Sequence, residues 1–291
     1  MNFFQIIKFD FYKFVEILNS ISPDYIWVIF LLLSFSAVLF FLRLFGEVGI
    51  YVYTVIAIIV ANIQVLKAVQ FSFFHESVAL GTVLFASTFL CTDILAEHYG
   101  VKKARKNVLI GFLGFLMMTI LMLFTIGFQP LNDSWSITIQ ESLSNIFIPL
   151  PTFFIASMIA YLISQYFDVW FFKTIADLTN KRFLWLRNNL STMTSSLIDN
   201  TIFSVLAWII LNPKPLAFNE VLFKYIIGTY ILRIFIALID TPFIYLSRYL
   251  FAALLYMFSI LIRLLFLMFC CACFPHVYFI RCLRLMFCVC L

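Results

Sequence analysis

Long apolar runs are the feature of this sequence that most limits how it can fold. Seven runs are close to or above the roughly 20 residues that a helix needs to cross a bilayer. Of the 291 residues, 64% are hydrophobic and 11% are charged, whereas a soluble domain has about a quarter charged residues. A soluble domain of this length still needs a polar exterior, which this chain cannot supply. The composition therefore excludes a cytosolic enzyme domain, a nucleic-acid-binding domain and a disordered chain.

The apolar runs predict the organisation of the chain. They cover residues 25–42, 49–69, 78–97, 108–128, 148–171, 190–211 and 221–246, with an eighth candidate at 249–269. They are too long and too continuously apolar for barrel strands, which have about 10 residues of alternating pattern. We therefore predict an all-α, polytopic membrane helical bundle with six to eight transmembrane helices. The predicted divisions are an amphipathic N-terminal segment (1–20), one transmembrane domain (21–248) and an apolar, Cys-rich C-terminal extension (249–291).

Basic residues predict the orientation of the spans. Four Lys or Arg residues lie at 102–106 and four more at 173–187, whereas the connection 129–147 has none. Cytoplasmic loops are enriched in Lys and Arg. We therefore expect both basic loops to face the cytoplasm and 129–147 to face outside. Counting back three spans places the N-terminus outside.

Polar side chains recur at helical spacing inside three of the spans. A charge at bilayer depth costs about 2.5–3.5 kcal/mol on insertion scales, so such a residue is a site hypothesis by default. The third span carries Asp93 and Glu97 one turn apart, and the seventh carries Arg233 and Asp240 two turns apart. The sixth span carries Asn188, Thr192, Ser195 and Asp199 on one face, with Asn189 beside them.

Each of these stripes also has a structural interpretation. Glu97 can sit at the interface and pair with the basic loop. Hydroxyls in membrane helices often bond to the preceding turn or to a neighbouring helix. Arg233 and Asp240 can pair with each other or with other helices and so lock the bundle. The fifth span adds Gln165 and Asp168 to the polar set.

Acidic groups outnumber basic groups within and at the edges of the spans. The acidic residues are Asp93, Glu97, Asp168, Asp199 and Asp240, and the basic residues are Arg187 and Arg233. Buried carboxylates without partners are costly, so some must be protonated, hydrated or matched by a cationic ligand. This excess predicts a polar, proton-sensitive substrate path.

Motifs for several other functions are missing from the sequence. It has no G-x-x-x-x-G-K-[ST] phosphate loop, no H-E-x-x-H and no G-x-S-x-G. The histidines, His75, His98 and His276, have no companions at metal-ligand spacing, and the Cys-rich end lacks a two-by-two ligand pattern. We therefore expect no cofactor, no metal site, no catalytic residues and no nucleic-acid partner.

Three blocks of sequence resemble one transporter family. Residues 92–108, T-D-I-L-A-E-H-Y-G-V-K-K-A-R-K-N-V, resemble the T-D-x-x-x-E-x-x-G-x-x-x-A-R-x-x-V signature of the queuosine precursor transporters, formerly described as a vitamin uptake transporter family. A second block comprises S-Q-Y-F-D-V-W-F-F at 164–172, W-L-R-N-N-L-S-T at 185–192 and S-S-L-I-D-N-T-I-F at 195–203. The third is D-T-P-F-I-Y at 240–245. The resemblance covers roughly residues 48–248.

This resemblance implies a function and a set of site residues. It implies a multi-pass importer in the cell inner membrane for 7-deazaguanine compounds such as queuine, preQ0 or preQ1, which are salvaged for tRNA modification and queuosine biosynthesis. It also implies a fold similar to the substrate-binding membrane subunits of vitamin transporters. The positions that match the family motifs are Asp93, Glu97, Gln165, Asp168, Arg187, Asn188, Asn189, Ser191, Thr192 and Asp199. Arg233 and Asp240 join them as candidate substrate-binding residues from the seventh span.

A flat heterocycle favours aromatic stacking, and an amide and a carboxylate can bind its guanine-like edge. The expected partners are this small molecule and the lipid bilayer. A homodimer and an energising ATPase partner, as in the vitamin transporters, remain alternatives. So does an intramembrane enzyme that uses Asp93 with Asp199.

Overall fold

The structure is a computed structural model that describes residues 11–72, 78–148 and 150–273. Nine α-helices make up nearly all of the described chain. They are α1 (Phe11–Ser20), α2 (Pro23–Gln64), α3 (Thr82–His98), α4 (Val101–Gly127), α5 (Ser134–Phe147), α6 (Leu150–Leu178), α7 (Leu184–Val205), α8 (Phe218–Glu220) and α9 (Gly228–Cys273). Two π-helical segments, Leu206–Ile210 and Val221–Ile227, follow α7 and α8. The predicted all-α membrane bundle is confirmed.

Helix α2 contains the predicted span 25–42 and residues 49–64 of the predicted span 49–69, and it reverses direction between them. Gly46 interrupts the helix with φ 59° and ψ −135°, a positive φ that glycine adopts without steric cost. The Tyr53 hydroxyl donates to the backbone carbonyl of Ser34 at 3.1 Å, although residues 19 positions apart in a straight helix would lie about 28 Å apart. The arms 23–45 and 47–64 are therefore antiparallel neighbours.

The other spans agree with the sequence pattern. Five helices are long and apolar enough to cross a membrane: Pro23–Gln64, Val101–Gly127, Phe154–Leu178, Leu184–Ile210 and Phe218–Ala252. Because α2 consists of two arms, and α3 adds a helix of 17 residues, seven helical segments in the described chain correspond to the seven predicted spans.

Two connections differ from the expectation. Residues 78–81 were expected to begin the third span, but Val78–Ala79 forms a short antiparallel ladder with Ala68–Val69, so α3 begins only at Thr82. The connection 129–147 contains helix α5, whose N-terminus is capped by Asp133. The backbone N–H of Ser136 donates to the Asp133 carboxylate at 2.9 Å, and this bond holds the pKa of Asp133 below its ordinary value.

The bundle has polar groups inside and apolar groups outside. Leu113, Met117 and Phe124 on α4 are exposed, whereas Asp93 and Asp168 are fully buried. This is the arrangement expected when the surrounding solvent is lipid. An apolar cluster that includes Ile58, Val108, Phe115, Met158 and Tyr161 joins α2, α4 and α6. Most of the buried charged and amide side chains lie elsewhere, on α3, α6, α7 and α9.

The chain divides into two compact units, Met1–Ser247 and Arg248–Leu291. Every candidate site residue lies in the first unit. In the predicted N-terminal segment, α1 has no buried residues, and residues 1–10 lie outside the described chain. His75, His276 and the C-terminal cysteines Cys282, Cys288 and Cys290 also lie outside the described residues.

Candidate substrate-binding site

Four helices bring the candidate residues together in one buried column, which we call the polar column. Helix α7 packs along α6 and also contacts α3, and hydrogen bonds join α7 to α9. Ten of the candidates are buried: Asp93, Gln165, Asp168, Arg187, Asn188, Asn189, Ser191, Thr192, Asp199 and Asp240. The side chains of Glu97 and Arg233 retain 17% and 12% of their exposure. The sequence spacing placed these residues on helix faces, and the structure shows that the faces meet.

Asp168 of α6 lies at the centre of the polar column. The Ser195 hydroxyl of α7 donates to Asp168 Oδ1 at 2.8 Å. Next to it, Gln165 Nε2 donates to Thr88 Oγ1 at 2.9 Å, and the Thr92 hydroxyl lies 3.1 Å from Gln165 Oε1. Neutral hydroxyl groups on α3 and α7 and the Gln165 amide on α6 thus surround the buried carboxyl group of Asp168.

Asp93 and Asp240 flank this centre from α3 and α9. The Thr192 hydroxyl donates to Asp93 Oδ2 at 3.3 Å, and Asn188 Nδ2 donates to Asp240 Oδ1 at 2.6 Å. The oxygens Asp93 Oδ1, Asp240 Oδ2 and Asn188 Oδ1 are buried and receive no hydrogen bond from an N–H or hydroxyl group in the described chain. Buried polar atoms are normally satisfied, so these oxygens are available to a ligand or a proton.

An ion pair lies at each end of the polar column. Arg233 Nη1 of α9 contacts Asp199 Oδ2 of α7 at 2.6 Å, and Ser164 of α6 donates to the other Asp199 oxygen at 3.2 Å. At the other end, the Arg187 guanidinium pairs with Glu97 of α3. Because twelve residues of helix rise about 18 Å, Arg187 and Asp199 of α7 hold opposite ends of the polar column. Arg233 therefore pairs with another helix, which was one of the two expected alternatives, and Arg187 is the partner of Glu97.

A pocket of about 390 Å³ opens beside Asp199 and Arg233, and we call it the Asp199 pocket. Its wall includes Asn200, Trp208 and Tyr225. The rings of Trp208 and Tyr225 lie 4.8 Å apart between centroids at an interplanar angle of 30°. Asn200 Nδ2 donates to the backbone carbonyl of Ile226 at 2.8 Å, which fixes α7 against the segment that carries Tyr225.

The candidate site residues did not include these three wall residues, although the sequence spacing places Tyr225 on the same helical face as Arg233. Trp208 and Tyr225 are hidden among 38 Phe, 13 Tyr and 5 Trp residues, and helical spacing does not separate a ring that faces a pocket from one that faces lipid. Asn200 follows Asp199 directly, and an amide next to a membrane carboxylate is a signal that could have included it.

A second pocket, of about 640 Å³, lies at the opposite end of the polar column, and we call it the Glu97 pocket. Glu97 and Arg187 line it together with Tyr99, and Lys102, Lys173 and Lys181 make its rim basic. Within the described residues, no group of three or more His, Cys, Asp or Glu side chains could hold a metal ion. His98 lies near the Glu97 pocket in sequence, and its Nε2 is 2.8 Å from the Ser247 hydroxyl.

Seven apolar helical segments around a buried polar interior with a pocket at each end define a polytopic membrane transporter. Comparison with known proteins gives the particular family. The family described as "Putative vitamin uptake transporter" matches residues 79–247, which include every candidate site residue. A curated relative named "Probable queuosine precursor transporter", from Bacillus subtilis (strain 168), is 34% identical over 223 residues, which cover 76% of this chain and 93% of the relative. The chain belongs to this transporter family, as the sequence motifs predicted. No solved structure matches the chain.

Proposed function

We propose that this protein imports queuosine precursors, 7-deazaguanine compounds such as queuine, preQ0 or preQ1, across the cell inner membrane for salvage into tRNA modification. The name of the Bacillus subtilis relative supports the substrate class. The observation that carries the proposal is a buried polar column between two pockets, inside a bundle whose exterior is apolar.

The chemistry of the Asp199 pocket suits a flat base with a guanine-like edge. Such an edge presents N–H donors beside a carbonyl acceptor. A carboxylate such as Asp199 accepts two hydrogen bonds and a guanidinium such as Arg233 donates several, so together they match both kinds of group. The paired rings of Trp208 and Tyr225 provide an aromatic surface on which a base can stack. A volume of about 390 Å³ lies within the usual range for small-molecule sites.

The two ion pairs suit alternating access. In the orientation predicted from the basic loops, the Asp199 pocket faces outside and the Glu97 pocket faces the cytoplasm. A substrate would pass the Asp199–Arg233 pair, cross the polar column and leave past the Glu97–Arg187 pair. Gln165, Asn188, Asn189 and Thr192 would supply hydrogen bonds along this route in place of water. Opening one pair while the other stays closed would prevent a continuous leak.

We further propose that the substrate crosses chemically unchanged, so that the protein is not an enzyme. A homodimer and an energising ATPase remain alternatives for the working assembly, and purification from the native membrane followed by mass spectrometry distinguishes them. The transport domain in this proposal is 21–248. The position of the unit boundary at Ser247 and the end of the family match at residue 247 support this limit.

Uptake by a salvage-deficient host tests the proposal. Cells that express this chain are offered labelled queuine, preQ0 and preQ1, and the label is measured in the cells and in tRNA. We expect accumulation with the wild type and with Asp177→Asn, whose carboxylate is exposed and paired with Lys173, but not with Asp199→Asn inserted at an equal level. Equal uptake by the empty host and by the expressing host would contradict the proposed substrate. Chemically altered label released by the purified protein would instead indicate an enzyme.

A further inference from the structure

Three carboxyl groups of the polar column have no basic partner among the described residues. Asp93, Asp168 and Asp240 are each at most 1% exposed, on three different helices. Their hydrogen bonds come from neutral groups, namely the hydroxyls of Thr192 and Ser195 and the amide of Asn188. Each of the two arginines of the polar column pairs with a different carboxylate. Buried carboxylates without a counter-charge are too costly to stay ionised together.

Asp93 and Asp168 approach the same turn of α7. Asp93 accepts a hydrogen bond from Thr192 at 3.3 Å, and Asp168 accepts one from Ser195, three residues further on, at 2.8 Å. Thr92, which precedes Asp93, lies 3.5 Å from the other Asp168 oxygen. Since an ionised carboxylate can only accept hydrogen bonds, two carboxyl groups can share one only when a proton lies between them. Asp93 Oδ1 is buried and receives no hydrogen bond from any N–H or hydroxyl group in the described chain. It is therefore the open acceptor position in this pair.

We propose that Asp93 and Asp168 share one proton, and that this proton crosses the membrane together with the substrate and drives its uptake. The second part of this inference rests on the proposed transport function. The ligand of the Asp93–Asp168 pair is thus the proton. A sodium ion fits less well because, within the described residues, no group of three or more His, Cys, Asp or Glu side chains is placed to hold a metal ion.

The position of the pair connects it to both pockets. Glu97 follows Asp93 by four residues on α3, which is about 6 Å of helix. On the other side, Ser195 donates to Asp168 and lies one turn before Asp199 on α7. Ser164, one turn before Asp168 on α6, donates to Asp199. The shared proton therefore lies one helical turn from each ion pair. Its gain or loss changes the electric field at the Glu97–Arg187 pair and at the Asp199–Arg233 pair.

The charged side chains on the surrounding helices contact groups other than Asp93 and Asp168. On α2 and α4, Glu47 pairs with Lys103 at 2.8 Å, and Lys106 lies over the Tyr51 ring at 5.9 Å. The remaining groups that face the column are those already placed: Glu97 on α3, Arg187 and Asp199 on α7, and Arg233 and Asp240 on α9. Of these, only Asp240 is also without a basic partner, and its carboxyl group accepts a hydrogen bond from the Asn188 amide.

Infrared spectroscopy tests the shared proton without any substrate. The full-length protein is labelled with carboxyl-13C aspartate, reconstituted in lipid and examined at neutral pH. We expect an aspartic acid C=O stretch that shows the 13C shift and disappears in both Asp93→Asn and Asp168→Asn. It should persist in the exposed control Asp177→Asn. A wild-type spectrum without a protonated aspartate band would overturn the inference, as would a band unchanged in both variants. Asp240 is a third buried carboxyl group without a basic partner, so Asp240→Asn is measured as well, and a band that disappears only in Asp240→Asn would also overturn the inference.

Transport in proteoliposomes tests the coupling. Exchange of labelled queuine without any gradient tests the proposed function alone. A sodium-free gradient of one pH unit, acid outside and with the membrane potential clamped at zero, should then give up to tenfold accumulation for one proton per substrate. We expect Asp93→Asn and Asp168→Asn to lose the accumulation that the pH gradient drives, whereas the exposed control Asp177→Asn should keep it. Wild-type exchange that ignores the pH gradient, or that follows a sodium gradient instead, would refute proton coupling. Absence of exchange would count against the proposed function, while the infrared result would still decide whether the proton is shared.

Discussion

The ion pair between Asp199 and Arg233 gives a quantitative test of the site. Its N···O distance is 2.6 Å, and the two side chains are 10% and 12% exposed. At an effective dielectric constant of 20, two unit charges at this distance attract by about 6 kcal/mol before desolvation is subtracted. Asp199→Asn and Arg233→Gln each leave one charge buried without its partner. We expect each to lower the free energy of unfolding by about 3–5 kcal/mol.

The double variant separates stability from function. Asp199→Asn with Arg233→Gln removes both charges and leaves two amides of similar size, so we expect it to recover at least about 2 kcal/mol relative to the sum of the single losses. Uptake should not recover, because the charged groups proposed to bind the precursor are both absent. The loss of a charge-assisted hydrogen bond, about 1.5–3 kcal/mol, corresponds to binding that is about 10- to 150-fold weaker.

Unfolding and uptake are measured on the wild type, the two single variants and the double variant. Thermal unfolding in detergent gives the coupling energy, and uptake into proteoliposomes gives the functional loss at equal reconstitution. The exposed pair of Lys173 and Asp177, at 2.6 Å, provides a matched cycle in which the coupling should not exceed about 0.5 kcal/mol. Single losses that simply add in the double variant would refute the energetic argument. Recovery of uptake in the double variant would show that the pair is structural and does not bind the precursor.

Three further predictions concern the aromatic wall, the packing and the α5 cap. Trp208→Ala should weaken precursor binding by about 1–3 kcal/mol, the usual value of one base–aromatic stack, whereas Trp208→Phe should retain most of it; equal affinities in a binding assay would contradict stacking. Gly111→Ala places a Cβ 2.4 Å from Ile58 Cδ1 and 2.8 Å from the Tyr161 hydroxyl, so it should destabilise the bundle by about 1–3 kcal/mol. Gly127→Ala, with nothing within 4 Å, is its control in thermal unfolding, and equal melting temperatures would contradict the packing. The pKa of Asp133 is lowered in the folded protein, so its capping contribution is present above the unfolded pKa and is lost as the pH falls through the folded value. Asp133→Ala should therefore speed amide exchange in the first turn of α5 at neutral pH and remove its acid dependence, and unchanged exchange would show that the cap does not hold this helix.

Hydropathy predicted the spans because lipid imposes one dominant constraint, an apolar exterior over about 20 residues. It did not predict how the connections fold. Gly46 reverses the chain between two predicted spans through its positive φ, and hydropathy, although it separated these spans, does not show how the six residues between them turn. The β-ladder at Ala68–Val69 and helix α5 also depend on local turn and cap geometry, which apolar periodicity does not report.

Spacing along single helices predicted the faces of the polar column but not the partners across it. The stripe on the seventh span left two alternatives for Arg233, and only the packing of α9 against α7 brings it to Asp199. In the same way, Glu97 and Arg187 are 90 residues apart in sequence and meet because α3 and α7 are neighbours. The excess of acidic groups was visible in the sequence, whereas the approach of Asp93 and Asp168 to one turn of α7 required the structure. That these residues bind the substrate stays a prediction.

The proposed function places the precursor in the Asp199 pocket, against Trp208. Fluorescence titration tests it most directly, with the other four tryptophans replaced by phenylalanine so that Trp208 is the only emitter. We predict saturable quenching by queuine, with the same midpoint as direct binding of labelled queuine, and loss of the quenching when Asp199→Asn is added. Binding of labelled queuine that leaves Trp208 emission unchanged would place the substrate elsewhere and contradict the account.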